Sequence, residues 1–321
     1  MKLNVAIQMD PIDTINFQTD STFALAVAAQ SRQHSLFYYL PGNLTVTTGK
    51  VMARGWTLTA GERIGGHFDH GQQEVRNLDE CDVILLRQDP PFDMSYITTT
   101  YLLDRVSDKV VVVNDPFWVR NQPEKLLPLQ FPDLTPPTLI SRDTDAISEF
   151  RERYREIVLK PLYGNGGSGV FVLRQDDLNF NALCEMFLDS SREPIIVQKY
   201  LPKVRDGDKR IILVDGKPVG ALNRIPAADE ARSNLHVGGR AEAAQLTTQE
   251  REICQRIGPF LASHGQVFVG IDVIDGWLTE INVTSPTGLV EIARFDGLSV
   301  TDLVWDAIET KVRSESVDHT V

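Results

Sequence analysis

The stretch that most constrains this chain is residues 267–287, VFVGIDVIDGWLTEINVTSPT. Two apolar runs, 267–274 and 277–283, flank Asp275-Gly276, a pattern that predicts a β-hairpin. Asp272, Glu280 and Asn282 interrupt those runs. A carboxylate buried there alone is costly or takes up a proton, so something cationic is expected to meet it. Side chains alternate along a strand, which puts Glu280 and Asn282 on one face. Asp272 joins them if the connecting loop has an odd number of residues, and a loop over 275–277 is the expectation. Two carboxylates and one amide oxygen on one face make an all-oxygen set suited to Mg²⁺ or Mn²⁺, with positions left for phosphate oxygens. The plainer alternative is a set of edge-strand residues facing water or pairing with Arg. Asn282-Val283-Thr284 also matches a glycosylation sequon, but an apolar strand is not the secreted loop that reading needs.

The 321 residues suggest two or three domains, and 42% hydrophobic with 24% charged residues is ordinary globular composition. No apolar run approaches the length of a membrane span, and MKLNVAIQMDP reads as a first strand, not a signal peptide. Cys81, Cys184 and Cys254 are widely spaced, with no zinc pattern, and read as reduced packing residues of a cytoplasmic protein. A net charge of −12 argues against nucleic acid or an anionic membrane as partner, so anionic substrates would need a local basic lining.

Strand and helix patterns alternate through the first third: strands over 3–9, 35–40, 82–87 and 110–114, with helices over 21–32, capped by Asp20 or Ser21, and 95–107. This is βαβ patterning and predicts a small sheet with helices on its faces; residues 45–58 look like an inserted hairpin. The turns after two of these strands, Asp10-Pro11 and residues 87–93 (RQDPPFD), should open on one edge of that sheet, where Arg87 could hold a substrate carboxylate. A proline-rich stretch at 116–137 marks a boundary. The pattern beyond it predicts an α+β unit, with helices over 145–154 and 177–188 and strands over 157–160, 170–173 and 194–199.

Within that unit, Gly164-Asn165-Gly166-Gly167-Ser168-Gly169 satisfies G-x-G-x-x-G, yet VFVL follows where the dinucleotide fingerprint needs a helix. What remains is a glycine-rich hairpin whose N–H groups can fold over a polyphosphate, with Lys160 as a point charge at the preceding strand end. Five basic residues lie within 199–210, and Arg210 is carried inward by the strand that follows. A second hairpin is expected over Asp215-Gly216. Residues 225–240 lack periodicity and read as a lid, with His236 a lone histidine given no catalytic part. Residues 247–264 form an amphipathic helix with a Thr247/Glu250 capping box and Gly265 as its stop, and 299–312 form a closing helix.

These motifs, in this order, resemble those of the ATP-grasp ligases, and MDP at 9–11, RQDPPFD at 87–93, DGDKR at 206–210, GGR at 238–240 and TEINVTSPT at 279–287 resemble the bacterial glutathione synthetase family over nearly the whole chain. The resemblance implies an N-terminal Rossmann-like βαβ domain (1–122) and an ATP-grasp fold of two α+β subdomains (123–201 and 202–321). It implies that Lys125 and Lys160 contact ATP phosphates, that Gly164, Asn165, Gly166 and Gly167 clamp them, that Gln198, Lys199, Tyr200 and Leu201 hold adenine, and that Asp208 holds ribose. Arg210 would stabilise the transferring phosphoryl, Asp272, Glu280 and Asn282 would bind two Mg²⁺, and Arg87, Arg224, Ser285, Pro286 and Thr287 would face the peptide and glycine carboxylates. Tyr163 and Asn165 depart from the Asp and Met that the family leads one to expect. The implied reaction joins γ-glutamylcysteine to glycine at the expense of ATP, through an acyl phosphate, in a cytoplasmic homotetramer. A sister ligase of the D-alanine or glutamate-adding type, or a nucleotide-binding regulator without turnover, are the other readings.

Overall fold

The computed structural model describes residues 1–61, 67–230, 232–233 and 238–318. The chain opens with β1 (Asn4–Gln8), α1 (Ser21–Ser31), β2 (Ser35–Thr47), β3 (Lys50–Gly61), β4 (His67–Asn77), β5 (Val83–Leu86), α2 (Met94–Leu103), β6 (Val111–Val113) and α3 (Pro116–Asn121). These strands form a six-stranded sheet in the order β4-β3-β2-β1-β5-β6. β2, β1, β5 and β6 are parallel, which is the βαβ arrangement, whereas β3 and β4 extend the sheet antiparallel. The hairpin expected over 45–58 is therefore no insertion: its arms continue β2 and β3 around Thr48-Gly49, and β4 pairs beside them. Each of α1, α2 and α3 starts on an aspartate whose carboxylate accepts a backbone N–H of the first turn, Asp20 from Phe23, Asp93 from Tyr96 and Asp115 from Trp118. Each such cap stabilises its helix by about 1 kcal/mol.

A second sheet, β7-β10-β8-β9, comes from β7 (Thr138–Ser141), α4 (Thr144–Tyr154), β8 (Ile157–Pro161), β9 (Phe171–Leu173), α5 (Phe180–Ser190) and β10 (Ile195–Lys199). It has its own core, in which Ile147, Ile157, Leu159, Phe180, Phe187 and Val197 are buried. The glycine loop joins β8 to β9, a strand, as the sequence requires, with Gly166, Gly167 and Gly169 at positive φ.

The third sheet runs β13-β12-β11-β14-β15. Its elements are β11 (Asp208–Val214), β12 (Lys217–Ile225), β13 (Arg240–Ala243), α6 (Thr248–Ser263), β14 (Phe268–Ile274) and β15 (Trp277–Asn282), followed by α7 (Leu289–Asp296) and α8 (Val300–Asp318). α6 carries the Thr247/Glu250 capping box and ends before Gly265, which has φ +66°. Two large cores run through both the six-stranded and the five-stranded sheets. In one of them Trp305 of α8 is fully buried, and its indole N–H donates to Leu25 O at 2.9 Å, fixing α8 on α1.

The odd loop expected between β14 and β15 is corrected by the register. Ile274 pairs with Trp277, so Asp275-Gly276 is a two-residue turn, with φ +51° and +75°. Asp272 nevertheless lies opposite Glu280, because the ladder shifts between Asp272 and Val273 and Thr279 is the extra residue in β15. Within the expected lid over 225–240, residue 231 and residues 234–237, His236 among them, lie outside the described residues.

Candidate active site

Register places the site on one face of the five-stranded sheet. Asp208 pairs with Arg224 across β11 and β12, Arg210 with Asp272 across β11 and β14, and Asp272 with Glu280 across β14 and β15, with Asn282 two residues on. Period-two alternation therefore turns all six side chains the same way. Further along β11 the same face buries Ile212 and Val214, so the site is the polar end of a core face. The small sheet adds Lys160 and Gln198 by the same rule, since Lys160 lies opposite Ile196 and Gln198 opposite Val158.

Every site residue expected from the sequence lines a single cavity of about 820 Å³. The glycine loop and the start of the 199–201 segment form one side, the charged face of the large sheet another, and the ends of β1 and β5 a third. Lys125 Nζ donates to the carbonyl of Gly164, tying this lysine to the glycine loop. Lys160 and Lys125 approach Glu280 Oε1 at 3.6 and 3.9 Å, beyond hydrogen-bond distance. Burial lowers the Lys160 pKa, against the pull of Glu280.

The cation that meets Asp272 is a pair of guanidiniums. Arg210 grips it in a fork, Nε to Oδ1 at 2.5 Å and Nη2 to Oδ2 at 3.0 Å, and Arg224 Nη2 lies 3.0 Å from Oδ1. Burial alone would raise this carboxyl, but Arg210 and Arg224 carry it well below the usual carboxylate range. Gly270 makes the approach feasible, since a Cβ there would come 3.0–3.4 Å from the Arg210 side chain. Asp208 accepts from Arg224 at 2.6 Å and from the Ser233 hydroxyl at 2.7 Å, and burial raises its pKa even so. Arg224 and Asp208 are thus directed at protein groups in this arrangement. Arg232, on the segment expected to form the lid, donates to Gly167 O at 3.3 Å, joining that segment to the glycine loop.

Arg87 is buried at the end of β5. Its Nε donates to Thr22 Oγ1 and its Nη2 to Pro286 O, both at 3.0 Å, which leaves Nη1 without a hydrogen-bond partner among the described residues. Ser285 donates to Asp89 Oδ1 at 3.0 Å, and Thr287 O accepts from Arg210 Nη1 at 3.3 Å. The 285–287 loop therefore stitches the large sheet to the N-terminal sheet. Sequence reasoning missed Glu124, Ser233 and Arg232 among the cavity residues. The one available signal was that Glu124 directly precedes Lys125.

Among the described residues no group of three or more His, Cys, Asp or Glu side chains closes around a metal position. The oxygens of Glu280 and Asn282 nonetheless fit a hard divalent cation, because among the described residues nothing donates a hydrogen bond to the Glu280 carboxylate or to Asn282 Oδ1, while Asn282 Nδ2 donates to Asp272 at 3.3 Å. Asp272 could join them only by releasing an oxygen from its guanidinium partners.

A glycine loop over an antiparallel sheet, facing a second sheet that presents paired acids and arginines, is the arrangement of an ATP-grasp ligase, and the solved structures with this fold agree. D-cycloserine synthetase DcsG superposes with a TM-score of 0.68 at 15% identity, covering 96% of this chain and 100% of that one. D-alanyl-alanine synthetase A from Vibrio cholerae gives 0.61 at 12% identity, covering 97% and 99%. Residues 3–120 match the N-terminal domain of prokaryotic glutathione synthetase and residues 124–297 its ATP-grasp domain. The glutathione synthetase of Brucella melitensis is 56% identical over 311 residues, 97% of this chain and 100% of the relative, and that of Yersinia pestis is 42% identical over 313 residues, 97% and 98%. The chain belongs to the prokaryotic glutathione synthetase family.

Proposed function

We propose that this chain joins γ-L-glutamyl-L-cysteine to glycine, converting ATP to ADP and phosphate and forming glutathione through an acyl phosphate. The observation that carries the reading is the meeting of the glycine loop, Lys125 and Lys160 with the Arg210, Glu280 and Asn282 face in one cavity. None of the three cysteines lines it; all are free and buried. That suits direct phosphoryl transfer between bound substrates better than a covalent acyl-enzyme.

In this reading Lys125, Lys160 and the backbone N–H groups of Gly164, Asn165, Gly166 and Gly167 hold the polyphosphate, while Gln198, Lys199, Tyr200 and Leu201 hold the base and Asp208 the ribose. The cysteinyl carboxylate attacks the γ-phosphorus, ADP leaves, and the glycine amine then attacks the acyl carbon and expels phosphate. Arg210 faces the oxygens on which negative charge builds in both steps. Arg87, through its unpartnered Nη1, together with Arg224 and the Ser285, Pro286 and Thr287 loop, receives substrate carboxylates. Mg²⁺, or Mn²⁺, held by Glu280 and Asn282 with Asp272, would draw charge from the phosphate oxygens when bound. Excluding water protects the acyl phosphate, a part suited to the segment that carries Arg232.

Family likeness supports a cytoplasmic homotetramer as well; no described helix is long and apolar enough to cross a membrane. The test is to omit each of ATP, γ-glutamylcysteine and glycine in turn and to quantify ADP and glutathione by mass spectrometry. Equimolar products that require all three support the proposal. ADP without glutathione, or turnover only with another acid and amine, refutes it.

A further inference from the structure

The amine substrate raises a chemical need that none of the groups assigned above meets. An α-amino acid carries an ammonium at neutral pH, and an ammonium has no lone pair with which to attack an acyl phosphate. The site must bind that cation close to the phosphoryl-handling groups and take its proton.

Most acids set among Lys125, Lys160 and Arg210 are already committed. Asp272 lies in the fork of Arg210 with Arg224 beside it, and Asp208 is held by Arg224 and Ser233. Glu280 belongs to the oxygen set facing the two lysines. Glu124 is left. It lines the cavity immediately before Lys125. Its backbone carbonyl accepts from Ile281 N at 3.0 Å, which fixes it against β15, and its Oε1 accepts from the Thr284 hydroxyl. Among the described residues its Oε2 has no hydrogen-bond partner, and it is not sealed off from the cavity.

We propose that Glu124 binds the ammonium of the incoming amine substrate through Oε2 and accepts its proton as that amine attacks, an inference that rests on the ligase reading above. Two N–H bonds break between ammonium and amide: the first proton forms an O–H bond on Glu124 and the second is taken up by the departing phosphate. The freed lone pair forms the C–N bond, and the C–O bonding pair leaves with phosphate. The carboxyl then returns its proton to solvent as product departs. Thr284 fixes the carboxylate in place by its single bond to Oε1, leaving Oε2 for the ligand. Burial raises the Glu124 pKa, with Lys125 opposing and Glu280 adding to the effect, which makes it a better proton acceptor than an exposed glutamate.

The test compares glycine with hydroxylamine, a nucleophile that is largely unprotonated at neutral pH, in the wild type and in Glu124→Gln. The amide keeps an oxygen for Thr284 but cannot accept the proton. Selective loss is expected, with kcat/KM for glycine falling about 10²–10⁴-fold while ADP formation with hydroxylamine is unchanged. That unchanged turnover also shows that the variant is folded and still activates the acid. Equal loss with both nucleophiles would make Glu124 a structural or phosphate-site residue, and no loss with either would remove it from the reaction; both outcomes overturn the proposal. A wild type that forms no ADP in response to glycine overturns the ligase reading first, and this one with it.

Discussion

Asp272 and Glu280 face each other across the β14–β15 hairpin although a regular ladder from its two-residue turn would set Thr279 opposite Asp272 and turn Glu280 to the other face. Thr279 is the bulged residue, and its hydroxyl donates to the carbonyl of Asp272 at 3.1 Å. The bulge thus re-aims a carboxylate into the cavity. Thr279→Val keeps the shape but leaves that buried carbonyl short of a partner. Unfolding in urea is expected to show a loss of about 1–3 kcal/mol.

This hairpin also shows how far a sequence can be read. The Asp275-Gly276 turn and the polar positions inside apolar runs were legible, because both follow from local backbone and burial rules. The bulge was not: nothing in TEIN marks Thr279 as the residue to be left unpaired, so the extra residue was expected in the loop. The glycine loop was legible from the strand that follows it. The Arg224 pairs with Asp208 and Asp272 were not, since they arise only when register brings separate strands together. Strand β4 escaped notice because its polar sequence, HFDHGQQEVRN, lies on a sheet edge and carries no apolar alternation.

Asn114 joins the end of the N-terminal sheet to the β14–β15 hairpin. Its amide donates to Phe268 O at 2.7 Å and Val283 O at 2.8 Å, and its oxygen accepts from Phe268 N at 2.9 Å. Asn114→Ala strands all three backbone groups in a buried site. A cost of about 3 kcal/mol is expected in chemical denaturation, and Asn114→Asp should recover only the bond from Phe268 N.

Gly258 lies in the middle of α6, where alanine ordinarily stabilises a helix by about 1 kcal/mol. Here a Cβ would stand 2.1 Å from Gly216 O, because α6 packs backbone to backbone against the β11–β12 turn. Gly258→Ala is therefore expected to reverse the usual sign and lower stability by about 1–3 kcal/mol. A raised thermal midpoint would contradict this packing.

His34 is buried against Trp305, with Nδ1 accepting from Leu3 N at 3.3 Å and Nε2 3.4 Å from Glu309. Desolvation lowers its pKa; Glu309 opposes this and Arg32 adds to it. The unfolded imidazole therefore gains its proton before the folded one does. Its contribution is fully present above about pH 6.5 and falls as pH drops from there toward the folded value, at no more than about 1.4 kcal/mol per pH unit. Denaturation measured from pH 8 to pH 5 should show that decline, and His34→Asn should flatten it.

Oxygen-18 reports whether the cavity activates a carboxylate by phosphoryl transfer. γ-Glutamylcysteine labelled in its cysteinyl carboxylate is turned over with ATP, a divalent cation and glycine, and the released phosphate is analysed by mass spectrometry. Each phosphate is expected to carry one labelled oxygen taken from that carboxylate, and Arg210→Ala to abolish the transfer. Unlabelled phosphate released alongside glutathione would contradict it.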